Sequence, residues 1–131
     1  MTNLVLVSAP PHPDATLQRT AAQADERVLR LVREERPHFE IDGSTLRAYG
    51  SYLGLELWSA ENAFGSQCLM AVERSKNLFS EAGCAPPPAD LFIDVSSWGD
   101  AFDGHPGEGI IRFFLRGATV DAYIYFLPGA D

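Results

Sequence analysis

The sequence predicts an α+β fold, with one mostly antiparallel sheet of about five to six strands and two helices packed on it. Apolar residues recur at steps of three and four in two long segments, which is typical of amphipathic helices. Apolar and polar residues alternate in several shorter segments, which is typical of half-buried strands. With 131 residues, 46% of them hydrophobic, residues 1–131 are expected to form a single domain.

The first helix is predicted over residues 14–35. Asp14 is expected to cap its first turn, and Pro37 is expected to stop its last. Before this helix, the apolar run from Leu4 to Ser8 favours a short buried strand that ends in a proline-rich turn. The apolar positions of the helix fall on one face: Leu17, Ala21, Ala24, Val28, Leu31 and Val32.

The middle of the chain is predicted to form a hairpin, a further strand and the second helix. Asp42-Gly43 lies between two short apolar stretches, and this dipeptide favours a tight turn. Residues 52–58 alternate between leucines and other residues, so they are interpreted as a third strand. Ser59 is then expected to cap a helix that runs to Ala82. Its apolar face would carry Phe64, Cys68, Val72 and Phe79.

The last third of the chain predicts a proline connector, a buried central strand and a hairpin. The connector is residues 86–88, the strand is residues 91–97, and the hairpin turns near Gly117. Tyr123 and Tyr125 would lie on the outer side of this hairpin, where tyrosines are expected to pack under a helix, with an exposed aromatic platform as the alternative. Arg112 and Arg116 share one strand face and are expected to keep an edge of the sheet soluble.

The charge distribution argues against nucleic-acid binding. The formal net charge is −8, and residues 61–131 carry ten acids and four bases. A surface this acidic repels phosphate backbones, whereas it attracts a basic protein. No apolar run approaches the roughly 20 residues that a membrane span needs, so no membrane contact is expected either.

The location and redox state follow from the N-terminus and from the cysteine count. The run from Leu4 to Val7 is too short for a secretion signal, so a cytoplasmic location is expected. Cys68 and Cys84 do not show the spacing of a metal site. They are expected to be thiols, with a disulfide as the alternative.

The candidate site is the stretch WGDAFDGHPGEG at residues 98–109, which follows the predicted central strand. It combines carboxylates with large aromatic side chains, and interface hot spots favour aromatic residues inside a polar rim. A basic protein partner is therefore expected to bind there. The expected contact residues are Asp94, Trp98, Asp100, Phe102, Asp103, His105 and Glu108.

The remaining motifs do not point to catalysis. The sequence has no glycine-flanked serine elbow and no glycine loop for phosphates, so no catalytic residue, metal or cofactor is expected. The sequence thus predicts a small acidic binding protein that resembles in type the bacterial immunity proteins and other inhibitors, whose partner is a protein such as a toxin. One alternative is an enzyme or metal-dependent binding module using the Asp, His and Glu residues of 94–108. The other is a homodimer that pairs through its final strand.

Overall fold

The computed structural model describes residues 12–97 and 109–126, and their fold is mostly β. Strands make up 59% and helices 12%. The strands form two four-stranded antiparallel sheets, and one short helix packs against one of them. The predicted α+β fold with a single sheet and two helices is therefore wrong.

The eight strands follow the chain as a meander that is split between two sheets. The outer sheet has the order β1-β8-β7-β6, and the middle sheet has the order β2-β3-β4-β5. The elements are β1 (Ala15–Gln18), α1 (Glu26–Glu34), β2 (Ile41–Tyr52), β3 (Leu55–Asn62), β4 (Gln67–Glu73), β5 (Leu78–Ala85), β6 (Leu91–Ser97), β7 (Gly109–Arg116) and β8 (Thr119–Phe126), with a 3₁₀ turn at Pro37–Phe39 before β2.

The elements stack in three layers, with the middle sheet between α1 and the outer sheet. The core between the two sheets is built mainly from Tyr49, Leu55, Leu57, Leu69, Ala71, Leu91, Ile93, Val95, Ile111, Phe113, Val120 and Ala122. The core under the helix is built mainly from Val28, Leu31, Val32, Leu46, Ala48, Trp58, Ala60, Met70, Val72 and Phe79. Both faces of the middle sheet are thus covered by apolar side chains.

A polar chain fixes the start of α1 against the middle sheet. The Asp25 carboxylate accepts a hydrogen bond from the backbone N–H of Val28 at 3.0 Å, which caps the helix. Arg74 donates to Asp25 at 2.8 Å and to Glu56 at 3.0 Å, and Glu56 also accepts from the indole of Trp58. The pKa of Asp25 lies below its ordinary value, first because of the hydrogen bond from Arg74.

The helix predicted over residues 14–35 is correct only in its second half. Residues 15–18 form β1, and α1 begins after Asp25. Ala15 and Leu17 are half-buried while Thr16 and Gln18 are exposed, which is the alternation of a strand. The predicted cap Asp14 instead accepts a hydrogen bond from the backbone of β8.

The hairpin predicted at Asp42-Gly43 is also wrong, because both residues lie inside β2. Asp42 accepts hydrogen bonds from the amide and the hydroxyl of Ser44, which satisfies its carboxylate within the strand. A Cβ on Gly43 would lie 3.0 Å from a methyl group of Leu29, so the strand approaches α1 closely at this position. The turn itself is formed by Leu53 and Gly54, between β2 and β3.

The second predicted helix, from Ser59 to Ala82, does not form. This region contains the second half of β3, all of β4 and more than half of β5. The four-residue spacing of Phe64, Cys68 and Val72 is an even number, so it fits a strand face as well as a helix face. The five consecutive residues 68–72 are fully buried, because α1 covers one face of the middle sheet and the outer sheet covers the other.

The predictions for the C-terminal third of the chain agree better with the structure. Residues 86–90 connect the middle sheet to the outer sheet, and β6 follows as predicted, although it forms an edge of its sheet and not the centre. The predicted hairpin is confirmed as β7 and β8, with Gly117 at a φ of 65° in the turn. Cys68 and Cys84 lie opposite each other on β4 and β5 and form a disulfide, so the expectation of thiols is wrong.

Candidate functional site

Most of the predicted site lies outside the described residues. Of the seven expected contact residues, the structure describes Asp94 alone. The segment 98–108 connects the end of β6 to the start of β7, and β6 and β7 are paired along their full lengths. The part of the candidate site that the structure describes therefore lies on the strands on either side of this connection. The residues outside the described part are Trp98, Asp100, Phe102, Asp103, His105 and Glu108.

The outward side of the outer sheet carries a cluster of aromatic and charged side chains. Successive strand residues point to opposite faces, so the residues that alternate with the core of β6, β7 and β8 share this side. We call this surface the aromatic–arginine face. It consists of Phe92, Asp94, Arg112, Phe114, Arg116, Asp121, Tyr123 and Tyr125.

Arg112 lies at the middle of the aromatic–arginine face and is held on several sides. It is paired in register with Asp94 on β6 and with Tyr123 on β8. Its Nε and Nη2 donate to the two carboxylate oxygens of Asp94 at 2.7 and 2.9 Å, the bidentate arrangement that a guanidinium favours. Its Cζ lies 4.3 Å from the ring centroid of Phe92 and 6.0 Å from that of Tyr125.

The carboxylate of Asp94 also affects the pKa of Arg112. The hydrogen bonds to Asp94 are the main reason that the pKa of Arg112 is raised above its ordinary value. Both side chains are still partly exposed, at 38% for Arg112 and 35% for Asp94. The sequence predicts Asp94 to be available for a partner, and the structure places it in an ion pair at the surface.

A second arginine and two aromatic rings extend the cluster toward the β7–β8 turn. The Cζ of Arg116 lies 3.9 Å from the ring centroid of Phe114, and its Nε lies 3.5 Å from a carboxylate oxygen of Asp121. A hydrogen bond with the side chain of Tyr123 is the main reason that the pKa of Arg116 lies above its ordinary value. The rings of Phe92 and Phe114 are 5.5 Å apart with a tilt of 31°. The two arginines thus lie over a continuous aromatic layer.

The aromatic–arginine face is open in the described part of the chain. There α1 packs on the middle sheet, and no described element packs on the outward side of the outer sheet. Phe92 and Tyr125 are 43% and 42% exposed, whereas Tyr123 is buried among its neighbours. The expectation that both tyrosines lie under a helix is wrong, because the helix covers the other sheet. The alternative, an exposed aromatic platform, fits Tyr125 but not the buried Tyr123.

The composition of the face is typical of a protein contact surface. Aromatic residues and arginine are the residue types that dominate binding hot spots. Among the described residues, no group of three or more His, Cys, Asp or Glu side chains is placed to hold a metal ion. No helix in the described ranges has the length and apolar character that a membrane crossing requires.

The sequence contained a partial signal for this face. The alternation in β6, β7 and β8 assigns Asp94, Arg112 and the two tyrosines to the side opposite the core. The sequence did not reveal that β6 pairs with β7 in the register that places Asp94 beside Arg112. It also did not reveal that this side is left open.

The described residues form an antiparallel β-sandwich, and within them the aromatic–arginine face is uncovered. Comparison with protein-family models, with curated proteins and with solved structures gives no match. The function is therefore argued from the site alone.

Proposed function

We propose that the chain is a small protein-binding domain of the inhibitor or immunity type, and that the aromatic–arginine face is its contact surface. The exposure of Phe92 and Tyr125 on either side of Arg112 carries this proposal. Burying two exposed aromatic side chains on association supplies a hydrophobic driving force, and arginine adds hydrogen bonds of defined direction.

The arrangement of Arg112 supports a preformed site. Its guanidinium is already oriented by Asp94 and by the ring of Phe92, so binding a partner costs less side-chain entropy than ordering a mobile arginine would. Its Nη1 makes no hydrogen bond with the described residues. Nη1 would therefore donate a hydrogen bond to a carbonyl or carboxylate oxygen of the partner.

The size of the face suggests that further residues take part. Three strands about 4.8 Å apart and about seven residues long cover roughly 350 Å². A stable interface of ordinary size covers about 800 Å² on each partner. We propose that the segment 98–108, which joins β6 to β7 at the border of this face, supplies the remaining contacts. Its three acids favour a partner that is basic at the rim of the interface.

The disulfide bears on where the domain works. Disulfides persist in oxidising compartments and are rare in the cytosol. The bridge between Cys68 and Cys84 therefore favours an oxidising, extracytoplasmic environment over the cytoplasm that the sequence analysis expects. We propose that the partner is met in that environment.

A pair of matched variants tests the proposed contact surface. The change Phe92→Ala/Tyr125→Ala removes the two exposed rings of the face, whereas Phe64→Ala removes a ring that is 65% exposed in the β3–β4 turn. The partner is first captured from host extracts with the wild type and then purified. We expect the double variant to raise the Kd by about a hundredfold, since each hot-spot residue contributes about tenfold or more. We expect the Phe64 variant to bind like the wild type.

Two results would overturn the proposal. Equal binding of the purified partner by the wild type and by the Phe92/Tyr125 variant would place the interface elsewhere. Failure of the wild type to retain any protein from host extracts would argue against a protein-binding function.

A further inference from the structure

A second surface feature is a cleft beside β2, which is an edge strand of the middle sheet. The connector at residues 19–24, between β1 and α1, runs beside β2 and encloses a cleft of about 700 Å³ against it. The backbone N–H of Thr20 donates to the carbonyl of Ala48 at 2.8 Å, which attaches the connector to the strand. A cleft of this volume is within the range of small-molecule sites.

The lining of the cleft combines an apolar base with a cationic rim. Leu29 from α1 and Leu46 from β2 supply apolar surface, and Ser44 supplies a hydroxyl group. Arg19 from the connector and Arg47 from β2 line the same cleft. These two arginines also line a smaller adjoining cavity of about 150 Å³, in which Glu61 is the acidic residue.

The two arginines of the cleft have no carboxylate partner in the described chain, as is also true of the four arginines between residues 27 and 36. The bases that follow residue 60 differ from them. Arg74, Lys76, Arg112 and Arg116 each lie within 4.0 Å of a carboxylate. In the described residues, Arg19 and Arg47 form no such ion pair. Arg47 donates from Nη1 to the carbonyl of Leu46 at 3.0 Å, which orients its guanidinium and leaves its other N–H groups for a ligand. In a protein of net charge −8, these two arginines form a local patch of positive charge.

We propose that this cleft binds a small organic anion. Its oxyanion group would be held between Arg19 and Arg47, and its apolar part would lie on Leu29 and Leu46. The planar guanidinium fork recognises carboxylates and phosphates alike, so the shared chemistry is an oxyanion on an apolar body. The site is separate from the aromatic–arginine face, and it does not depend on the proposed protein-binding function.

Titration with three related probes tests the site. The probes are hexanoate, hexyl phosphate and the neutral hexan-1-ol, followed by two-dimensional NMR of the full-length protein. We expect at least one of the two anions to shift the amides of Ala22, Leu29 and Gly43, which line or border the cleft, and we expect the alcohol to leave them unchanged. The anion that binds more tightly shows whether the cleft prefers a carboxylate or a phosphate ligand.

Charge-removing variants assign the binding to the two arginines. Arg19→Gln/Arg47→Gln should weaken the anion by about tenfold or more, because a charge-assisted hydrogen bond is lost at each position. Arg30→Gln/Arg33→Gln is the matched control, since it removes two cations from exposed positions of α1 outside the cleft. The proposal is overturned if neither anion binds at millimolar concentration, if hexan-1-ol binds equally well, or if both double variants bind the anion like the wild type.

Discussion

Individual turn residues show where local sequence preference and the fold disagree. Asp-Gly is a common turn dipeptide, but at residues 42–43 it lies in a strand, where Gly43 passes close to Leu29 of α1. The actual turn is Leu53-Gly54, with φ values of 51° and 82°. Leucine is unfavourable at a positive φ, so this turn could not be predicted from residue preference.

The turn at Leu53 gives a direct test at the residue scale. Leu53→Asn should stabilise the protein by about 1 kcal/mol, since asparagine tolerates the left-handed conformation and Asn-Gly suits a two-residue hairpin turn. Little burial is lost, because Leu53 is 41% exposed. The measurement is the free energy of unfolding from chemical denaturation.

Leu53→Ala is the control for this prediction. Alanine keeps the strain of a positive φ, so it should not increase the free energy of unfolding. An asparagine variant that is no more stable than the wild type would contradict the assigned turn conformation.

At the scale of whole elements, burial on both sides explains the largest error of the sequence analysis. Strand β4 lies between α1 and the outer sheet, so it lacks the apolar–polar alternation that identifies a strand. The first half of β3 keeps its alternating leucines and was predicted as a strand. The regular spacing of apolar residues beyond it then resembled a helix. In contrast, β6, β7 and β8 each have one face on the core and one face open in the described chain. Alternation predicted β7 and β8, whereas β6 was predicted from its apolar run as a buried central strand and lies instead at the edge of its sheet.

The disulfide between β4 and β5 is expected to stabilise this buried part of the fold. Cys68 and Cys84 are 16 residues apart, and closing a loop of that length restricts the unfolded chain by about 3 kcal/mol. Reduction of the wild type should therefore lower the free energy of unfolding by about this amount. Cys68→Ala/Cys84→Ala should show a similar loss and should not respond to reductant.

Chemical denaturation with and without a reductant checks this prediction. An unfolding midpoint of the wild type that is the same under both conditions would show that the bridge does not contribute to stability. A response of the double variant to reductant would show that the effect does not come from the bridge.

For the molecule as a whole, the layer order determines which surface is free to bind. The helix covers the middle sheet, and the aromatic–arginine face of the outer sheet is left open in the described ranges. The sequence predicted the outward direction of Asp94 and of the two tyrosines. It could not predict the face, because the face depends on how strands far apart in the chain pair and on which sheet the helix covers.

Charge is also organised at this scale. The first 60 residues hold six bases, and none of these six forms an ion pair within the described part of the chain. The four bases of residues 61–131 are all paired with carboxylates. The bases of the first 60 residues are thus without carboxylate partners in the described ranges, while the two arginines of the aromatic–arginine face are oriented by theirs.

Site-specific photo-crosslinking tests the central claim most directly. A photo-reactive benzoylphenylalanine replaces Tyr125 on the aromatic–arginine face in one variant and replaces Phe64 in the β3–β4 turn in the other. Both positions are exposed and aromatic, so they differ mainly in location. Irradiation in host cells should join the partner protein to position 125 and not to position 64. A crosslink at position 64 alone, or none at position 125, would contradict the assignment of this face as the contact surface.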